Sequence, residues 1–374
     1  MINYFATVAR GLEEVAAEEL AQLGATNIQP EFTGVRFTGD KKLLYRVNLW
    51  SRIIFRVLVP IAQFPCHNAQ QLYRNIQEID WSDYLTPDQT FAVHCTGSNR
   101  QLNHTHFTAL QVKNAIIDQQ RQQFKQRSDI DPKNPDLNIN FHIHQTKGIL
   151  SLDSSGSSLH RRGYRAAMGK APLKETLAAA LLELAEWDTN LPFLDPLCGS
   201  GTLPLEASLK ALNVAPGLFR ESFGFMNWKD FDSELWQELE TEAEDRQKAQ
   251  LPAMIMGCDR DSEMIYQADC NAQQCGVADQ ITLIQRSLEQ LEAPSDKGVI
   301  LCNPPYGERL GNAAELGGLY KQLGDTFKQR FKGWTAFILC GNKALSKQVG
   351  LRTSRRTAVY NGSLPCTLLK YELY

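Results

Sequence analysis

The order of apolar and polar positions along the chain predicts two differently built regions. In the first, YFATV (4–8) reads as a strand, GLEEVAAEELAQLG (11–24) as an amphipathic helix closed by Gly24, and VRFTG (35–39) as a strand before the helical KKLLYRVNLW (41–50). IIFRVLVPIAQF (53–64) is strand-like, QLYRNIQEID (71–80) helical, TFAVHCTG (90–97) a further strand, and FTALQVKNAIIDQQRQQFKQR (107–127) a long helix with polar residues massed at its end. NINFHIHQTKGILSLDSSG (138–156) alternates as a hairpin does, with Lys147 and Gly148 at the turn. This mixture predicts an α+β region over residues 1–155. SSGSS (154–158) has the most linker-like composition in the chain, and a linker is expected over 156–172.

From residue 173 to 374 strands and helices alternate. KETLAAALLELAEW (174–187) is helical, FLD (193–195) a buried strand, and a helix starts at about Thr202. AMIMGCDRD (253–261) is a second strand, SEMIYQADCNAQQCG (262–276) a helix, and ITLIQ (281–285) and GVILC (298–302) are strands. LGGLYKQLGDTFKQRF (316–331) is a helix and TAFILCG (335–341) a strand. Such alternation implies an α/β, doubly wound parallel sheet that binds ligands at the carboxyl ends of its strands. An insertion, residues 215–250, interrupts it. Its second half has Asp232 or Ser233 as N-cap of a charged helix, and its aromatic FGFMNW reads first as core packing and second as a wall beside a ligand.

Composition narrows the class. A chain of 374 residues with 43% hydrophobic residues suits two packed domains. No apolar run is long enough for a membrane span and no signal-peptide pattern opens the chain, so a cytoplasmic protein is expected. The nine Cys form no C-x-x-C pair, and His142 and His144 have no evident third ligand, so no metal site is expected. A formal net charge of −3 gives no global field for a polyanion, although the first region is mildly basic and the second acidic. Contact with RNA would rest on local patches: Arg161, Arg162 and Arg165 in LHRRGYR, and Arg352, Arg355 and Arg356 near the C-terminus.

Two segments carry chemistry. In FLDPLCGSGTLPLEA (193–207) a strand runs into a turn in which Gly199 and Gly201 admit close approach, and the following helix offers free N–H groups to a carboxylate. No GK[ST] follows, and Pro204 stands where a dinucleotide loop needs its third Gly. Asp195 at the strand end suits an ammonium, so S-adenosylmethionine, with an amino and a carboxylate group on its methionine part, fits better than a pyrophosphate. Asp259, ending the next strand, stands where such folds present a carboxylate to ribose hydroxyls. The second segment is Asn303-Pro304-Pro305-Tyr306. An amino group on a nucleobase is a poor nucleophile because its lone pair is delocalised into the ring. The Asn303 side-chain carbonyl and the Pro304 backbone carbonyl are candidate acceptors that would hold its hydrogens, and the two prolines stiffen the backbone. Tyr306 offers a face on which an extruded base can stack. A rigid strand-ending turn with a buried Tyr explains the same four residues.

DPLCGSGTLPLEA, GCDRD and ILCNPPYGERLG, in that order, resemble the class I S-adenosylmethionine-dependent methyltransferases. With LHRRGYR (159–165), APLKETLAAALL (171–182) and MINYFATVARGLEEVAAEEL (1–20), the chain is similar over nearly its whole length to the family that joins a THUMP RNA-binding domain to a large-subunit (23S) ribosomal RNA guanine-N2 methyltransferase. The resemblance implies a THUMP domain within 1–155 and a methyltransferase domain over 173–374, ending in the hairpin TAVYNGSLPCTLLKYELY (357–374). It implies that Asp195, Pro196, Cys198, Gly199, Ser200 and Gly201 line the methionine end of the cofactor and that Asp259 and Arg260 flank the ribose. Asn303 would border both the cofactor and the base, which Pro304, Pro305 and Tyr306 also hold. It implies, too, that the linker arginines touch ribosomal RNA. Many methyltransferases place an Asp against the cofactor adenine after the third strand; Ser287 and Leu288 stand there here. NPPY is shared with adenine-N6 enzymes, which leaves that activity, and a non-catalytic RNA-binding assembly factor, as alternatives.

Overall fold

The computed structural model describes residues 1–165, 173–306 and 313–374, without the side chains of Ala313 and Ala314; residues 166–172 of the expected linker and the residues directly after Tyr306 lie outside them. The first region runs β1 (Ile2–Thr7), α1 (Glu13–Gln22), β2 (Thr26–Glu31), β3 (Gly34–Gly39), α2 (Lys41–Trp50) and β4 (Arg56–Pro65). It continues with α3 (Ala69–Gln77), β5 (Thr90–Ser98), α4 (Thr105–Phe124), β6 (Asp129–Ile130), β7 (Leu137–His144) and β8 (Lys147–Asp153). All eight strands form one sheet, ordered β2-β3-β1-β4-β8-β7-β5-β6. β4 is the joint. Its first residues pair with β1, Ala6 opposite Val57, and nearly its whole length pairs with β8, Pro65 opposite Lys147. Asp40 and Asn68 cap α2 and α3 by accepting from the N–H groups of Leu43 and Gln71.

Some features escape the apolar pattern. β2, TNIQPE, is a polar edge strand with a register shift between Thr26 and Gln29, so no alternation marks it. The β7–β8 turn falls at Gln145 and Thr146, not at Lys147 and Gly148, because Gln145 takes the left-handed conformation (φ +55°) and Lys147 already pairs with His144.

The second region runs α5 (Glu175–Leu184), β9 (Phe193–Asp195), α6 (Thr202–Ala211), α7 (Ser233–Asp245), β10 (Ile255–Asp259), α8 (Ser262–Gln274) and β11 (Thr282–Gln285). Then come β12 (Val299–Cys302), α9 (Ala313–Arg330), β13 (Thr335–Cys340), α10 (Lys343–Gln348), β14 (Arg355–Asn361) and β15 (Leu364–Glu372). The sheet order is β11-β10-β9-β12-β13-β15-β14, parallel through β13 and closed by the antiparallel hairpin β14–β15. The strand order reverses at β9, which pairs with β10 on one side and β12 on the other.

The regions are fused. Ser154 and Ser155 of the linker-like SSGSS are buried: Asn48 donates to the Ser154 hydroxyl at 2.9 Å, and the Ser155 hydroxyl donates to Asn48 at 2.6 Å. Small polar residues here serve a hydrogen-bonded crossing instead of a free tether. The insertion clamps the same joint. Tyr45 of α2 stacks on Phe225 at 4.3 Å, edge-on to Trp236 at 6.1 Å, and Lys42 pairs with Glu238 at 2.6 Å. FGFMNW thus packs into the core, and a single apolar cluster runs from Tyr4 and Leu44 through Phe225 to Leu181 and Leu205.

Candidate active site

The order reversal at β9 opens a crevice at the carboxyl ends of β9, β10 and β12. Asp195 ends β9, Asp259 ends β10, and Asn303 follows β12. Because Leu194 pairs with both Met256 and Ile300, and Asp195 with Gly257, Asp259 and Asn303 lie level with each other and two residues beyond Asp195 in the strand direction. The glycine turn and the Asn-Pro-Pro-Tyr segment therefore flank one cleft.

Hydrogen bonds lock the turn from several sides. Asp259 accepts from the N–H of Gly199 at 3.0 Å through one oxygen and from that of Asp261 at 3.0 Å through the other. Asp195 accepts from Leu197 N–H at 3.1 Å, the Cys198 N–H donates to the Cys258 carbonyl at 2.8 Å, and Asn271 of α8 donates to the Ser200 carbonyl at 3.0 Å. Gly199 (φ +52°) and Gly201 (φ +86°) both adopt the left-handed conformation. A Cβ on Gly201 would lie 3.0 Å from Ala268, whereas one on Gly199 would meet nothing within 4 Å. Gly199 therefore borders open space in front of the N-terminus of α6. A group with a carboxylate fits there, and the neighbouring acids fit an ammonium.

Electrostatics favour a cation. Burial, reinforced by the Asp259 charge, pushes the Asp195 carboxyl well above the usual carboxylate range. Pro196 and Ser200 are buried, and Arg260 is exposed. The loops after β10 and β11 are tied together, since Arg286 N–H donates to the Asp259 carbonyl at 2.9 Å and Gln285 to the Arg260 carbonyl at 3.2 Å. Ser287 caps the short helical turn Leu288–Gln290, with Leu288 buried beneath.

On the opposite wall, Asn303 Oδ1 is buried and accepts no hydrogen bond from the described residues. An orphaned buried carbonyl costs on the order of 1–3 kcal/mol, so a ligand that supplied a donor there would be stabilised. Pro304 is buried and Pro305 half-buried. Tyr306 is held at both ends: Asn361 donates to its hydroxyl at 2.8 Å, and its ring closes on Gly341, where a Cβ would lie 2.7 Å from it. The ring remains partly exposed. Burial pushes the Cys198 and Cys302 thiols well above their ordinary values, which suits packing and not a thiolate nucleophile.

The linker arginines need correcting. Arg162 is 2% exposed; its guanidinium meets Glu206 of α6 at 3.4 Å and the carbonyls of Leu159 at 2.8 Å and Ser51 at 3.3 Å. Arg165 pairs with Glu175 at 2.9 Å and donates to the Thr202 hydroxyl at 3.2 Å. Both lie inside the joint, because Glu206, itself buried in an apolar helix, requires cationic and hydroxyl partners, the other being Tyr164 at 2.9 Å. Arg161 alone of the three is exposed. Arg355 is likewise engaged, with Glu186 at 2.5 Å. Among the described residues no cluster of His, Cys, Asp and Glu could hold a metal ion, and no helix is long and apolar enough to cross a membrane.

With that geometry in place, comparison with known proteins decides the family. The sequence profile of the RMKL-like methyltransferase domain matches residues 162–370, that of the THUMP domain residues 66–153, and that of the RlmL ferredoxin-like domain residues 3–58. The chain belongs to the RMKL-like methyltransferase family. A relative from Synechocystis sp., named "Putative RNA methyltransferase slr0064", is 58% identical over 99% of this chain and 97% of its own. The ribosomal RNA large subunit methyltransferase K/L of Syntrophotalea carbinolica is 42% identical over 100% of this chain but 54% of its own length, so the chain spans about half of that relative. The solved structure of SMU.472, complexed with SAH, superposes with a TM-score of 0.89 at 31% identity, covering 100% of this chain and 98% of that one. In this RMKL-like protein the ferredoxin-like and THUMP matches share one eight-stranded sheet, and their boundary falls on β4. Sequence reasoning missed Asn361, Asn271 and Glu206. The Asn-Gly pair at 361–362 signals a turn, but nothing in the sequence links it to Tyr306.

Proposed function

We propose that this protein transfers the methyl group of S-adenosylmethionine to the exocyclic N2 of a guanine in large-subunit (23S) ribosomal RNA. The observation that carries this reading is the buried Asn303 Oδ1, without a partner among the described residues, directly after β12 at the same end of the sheet as the Gly199 turn. Asn303 Oδ1 and the Pro304 carbonyl accept from the guanine amino group, turning the nitrogen lone pair toward the cofactor methyl, while the base rests on the exposed part of Tyr306. Asp195 and the α6 N-terminus take the ammonium and carboxylate of the cofactor's methionine end; Asp259 and Arg260 flank its ribose, and Ser287 and Leu288 its adenine. The N–C bond forms as the C–S bond breaks, S-adenosylhomocysteine leaves, and the proton then lost from the methylated amine goes to water. Positioning of this kind supplies on the order of 7–11 kcal/mol.

The names of the K/L relatives give the substrate class, and the THUMP match supports RNA as the ligand of the first region. Arg161 is the linker residue open to that RNA, and the cytosol is where such RNA is met. Asn303→Ala tests the role directly. Methyl transfer is expected to fall by several orders of magnitude while cofactor affinity, measured by calorimetry, changes little; a variant that still methylates contradicts it.

A further inference from the structure

Resting on that reading, RNA would cross the surface beside Tyr306, and this surface is made by both regions of the chain. Arg10, in the β1–α1 loop, lays its guanidinium over the Phe32 ring, 5.5 Å from its centre, and over the Tyr360 ring at 4.6 Å. Phe32, at the β2–β3 turn, is 75% exposed and adds nothing to the core. Tyr360 lies near the end of β14, at the same end of the sheet as Tyr306; its neighbour Asn361, on the alternate face of the strand, holds the Tyr306 hydroxyl with its amide. Arg10 is exposed and has no carboxylate within ion-pair distance among the described residues.

The arrangement is braced. One Glu13 carboxylate accepts from the N–H of Gly11 at 2.7 Å and from that of Thr33 at 3.0 Å, so a single side chain fixes the loop that carries Arg10 and the turn that carries Phe32. Gly11 (φ +85°) is pressed on β14, where a Cβ would lie 3.1 Å from the Ala358 carbonyl. Two aromatic rings and a guanidinium without an acid partner are therefore held rigidly at the catalytic sheet's edge. A planar guanidinium that stacks on rings keeps its N–H edge for phosphate, and exposed rings stack any base.

We propose that Arg10, Phe32 and Tyr360 form a ledge on which an unpaired RNA nucleotide flanking the target base stacks, with its phosphate held by Arg10. The ledge would keep the neighbouring nucleotide out of the crevice while the target enters it.

The test uses the full chain carrying Phe32→Ala, Arg10→Ala or both, with filter binding to unmodified large-subunit ribosomal RNA and nucleoside analysis of the methylated product. Each single change is expected to weaken RNA binding on the order of 10-fold, with melting temperature and S-adenosylmethionine affinity as in the wild type. Variants that bind RNA as the wild type does, or a wild type that binds no RNA, overturn the ledge. The two readings fail separately. Wild-type protein that binds RNA but leaves guanine N2 unmethylated refutes the substrate reading, and the ledge then stands on the binding loss alone. Guanine methylation with unchanged RNA affinity in the variants refutes the ledge and leaves the substrate reading intact.

Discussion

Asp195 concentrates the electrostatics of the crevice. Buried beside Asp259, its carboxyl is held well above the usual carboxylate range, so in the free protein it keeps its proton at pH values where an exposed carboxylate, at about 4, is ionised. A ligand carrying an ammonium favours the ionised form. Binding of S-adenosylmethionine should therefore release a proton, and its affinity should rise with pH until Asp195 ionises without help. Calorimetry in buffers of different ionisation enthalpy would measure that release; Asp195→Asn should abolish it, and an identical proton count in the variant would contradict this role. The sequence made Asp195, Asp259 and Asn303 legible because each sits at the end of an apolar run, where this fold puts ligands. It could not reveal that Asp259 also braces the turn, since that depends on a bond to Gly199 across two strands. The same limit hid the tie from Asn361 to Tyr306.

Among elements, α6 does two jobs: its N-terminus faces the crevice, and Glu206 in its second turn anchors the joint between regions. The family resemblance implied that the linker arginines meet RNA, but burial of Glu206 inverts this for Arg162. Breaking a buried pair leaves an uncompensated charge, so Arg162→Ala should destabilise the protein by about 3–5 kcal/mol, read as a lowered urea midpoint, with RNA affinity of the folded protein unaltered. A stable variant with weakened RNA binding would restore the surface reading. Elsewhere the apolar pattern located most elements well. α2 (41–50) and β9 (193–195) fall where expected, and Asp232 is the N-cap of α7. β2 and the two-residue β6 were illegible because edge pairing needs no apolar alternation.

For the whole molecule, the THUMP-containing region is fused to the methyltransferase sheet through shared core, buried serines and an aromatic insertion, so the crevice sits at a fixed place relative to the first sheet. The strand order of the second sheet, not any one motif, brings the Gly199 turn and Asn303 together. Acceptor geometry of this kind serves guanine N2 and adenine N6 alike, since both are exocyclic amines conjugated to a ring. The most direct measurement is nucleoside mass spectrometry of unmodified large-subunit ribosomal RNA after incubation with the purified protein and isotopically labelled S-adenosylmethionine. The label is predicted in N2-methylguanosine and absent from the Asn303→Ala reaction; label in N6-methyladenosine, or in no nucleoside, would contradict the account.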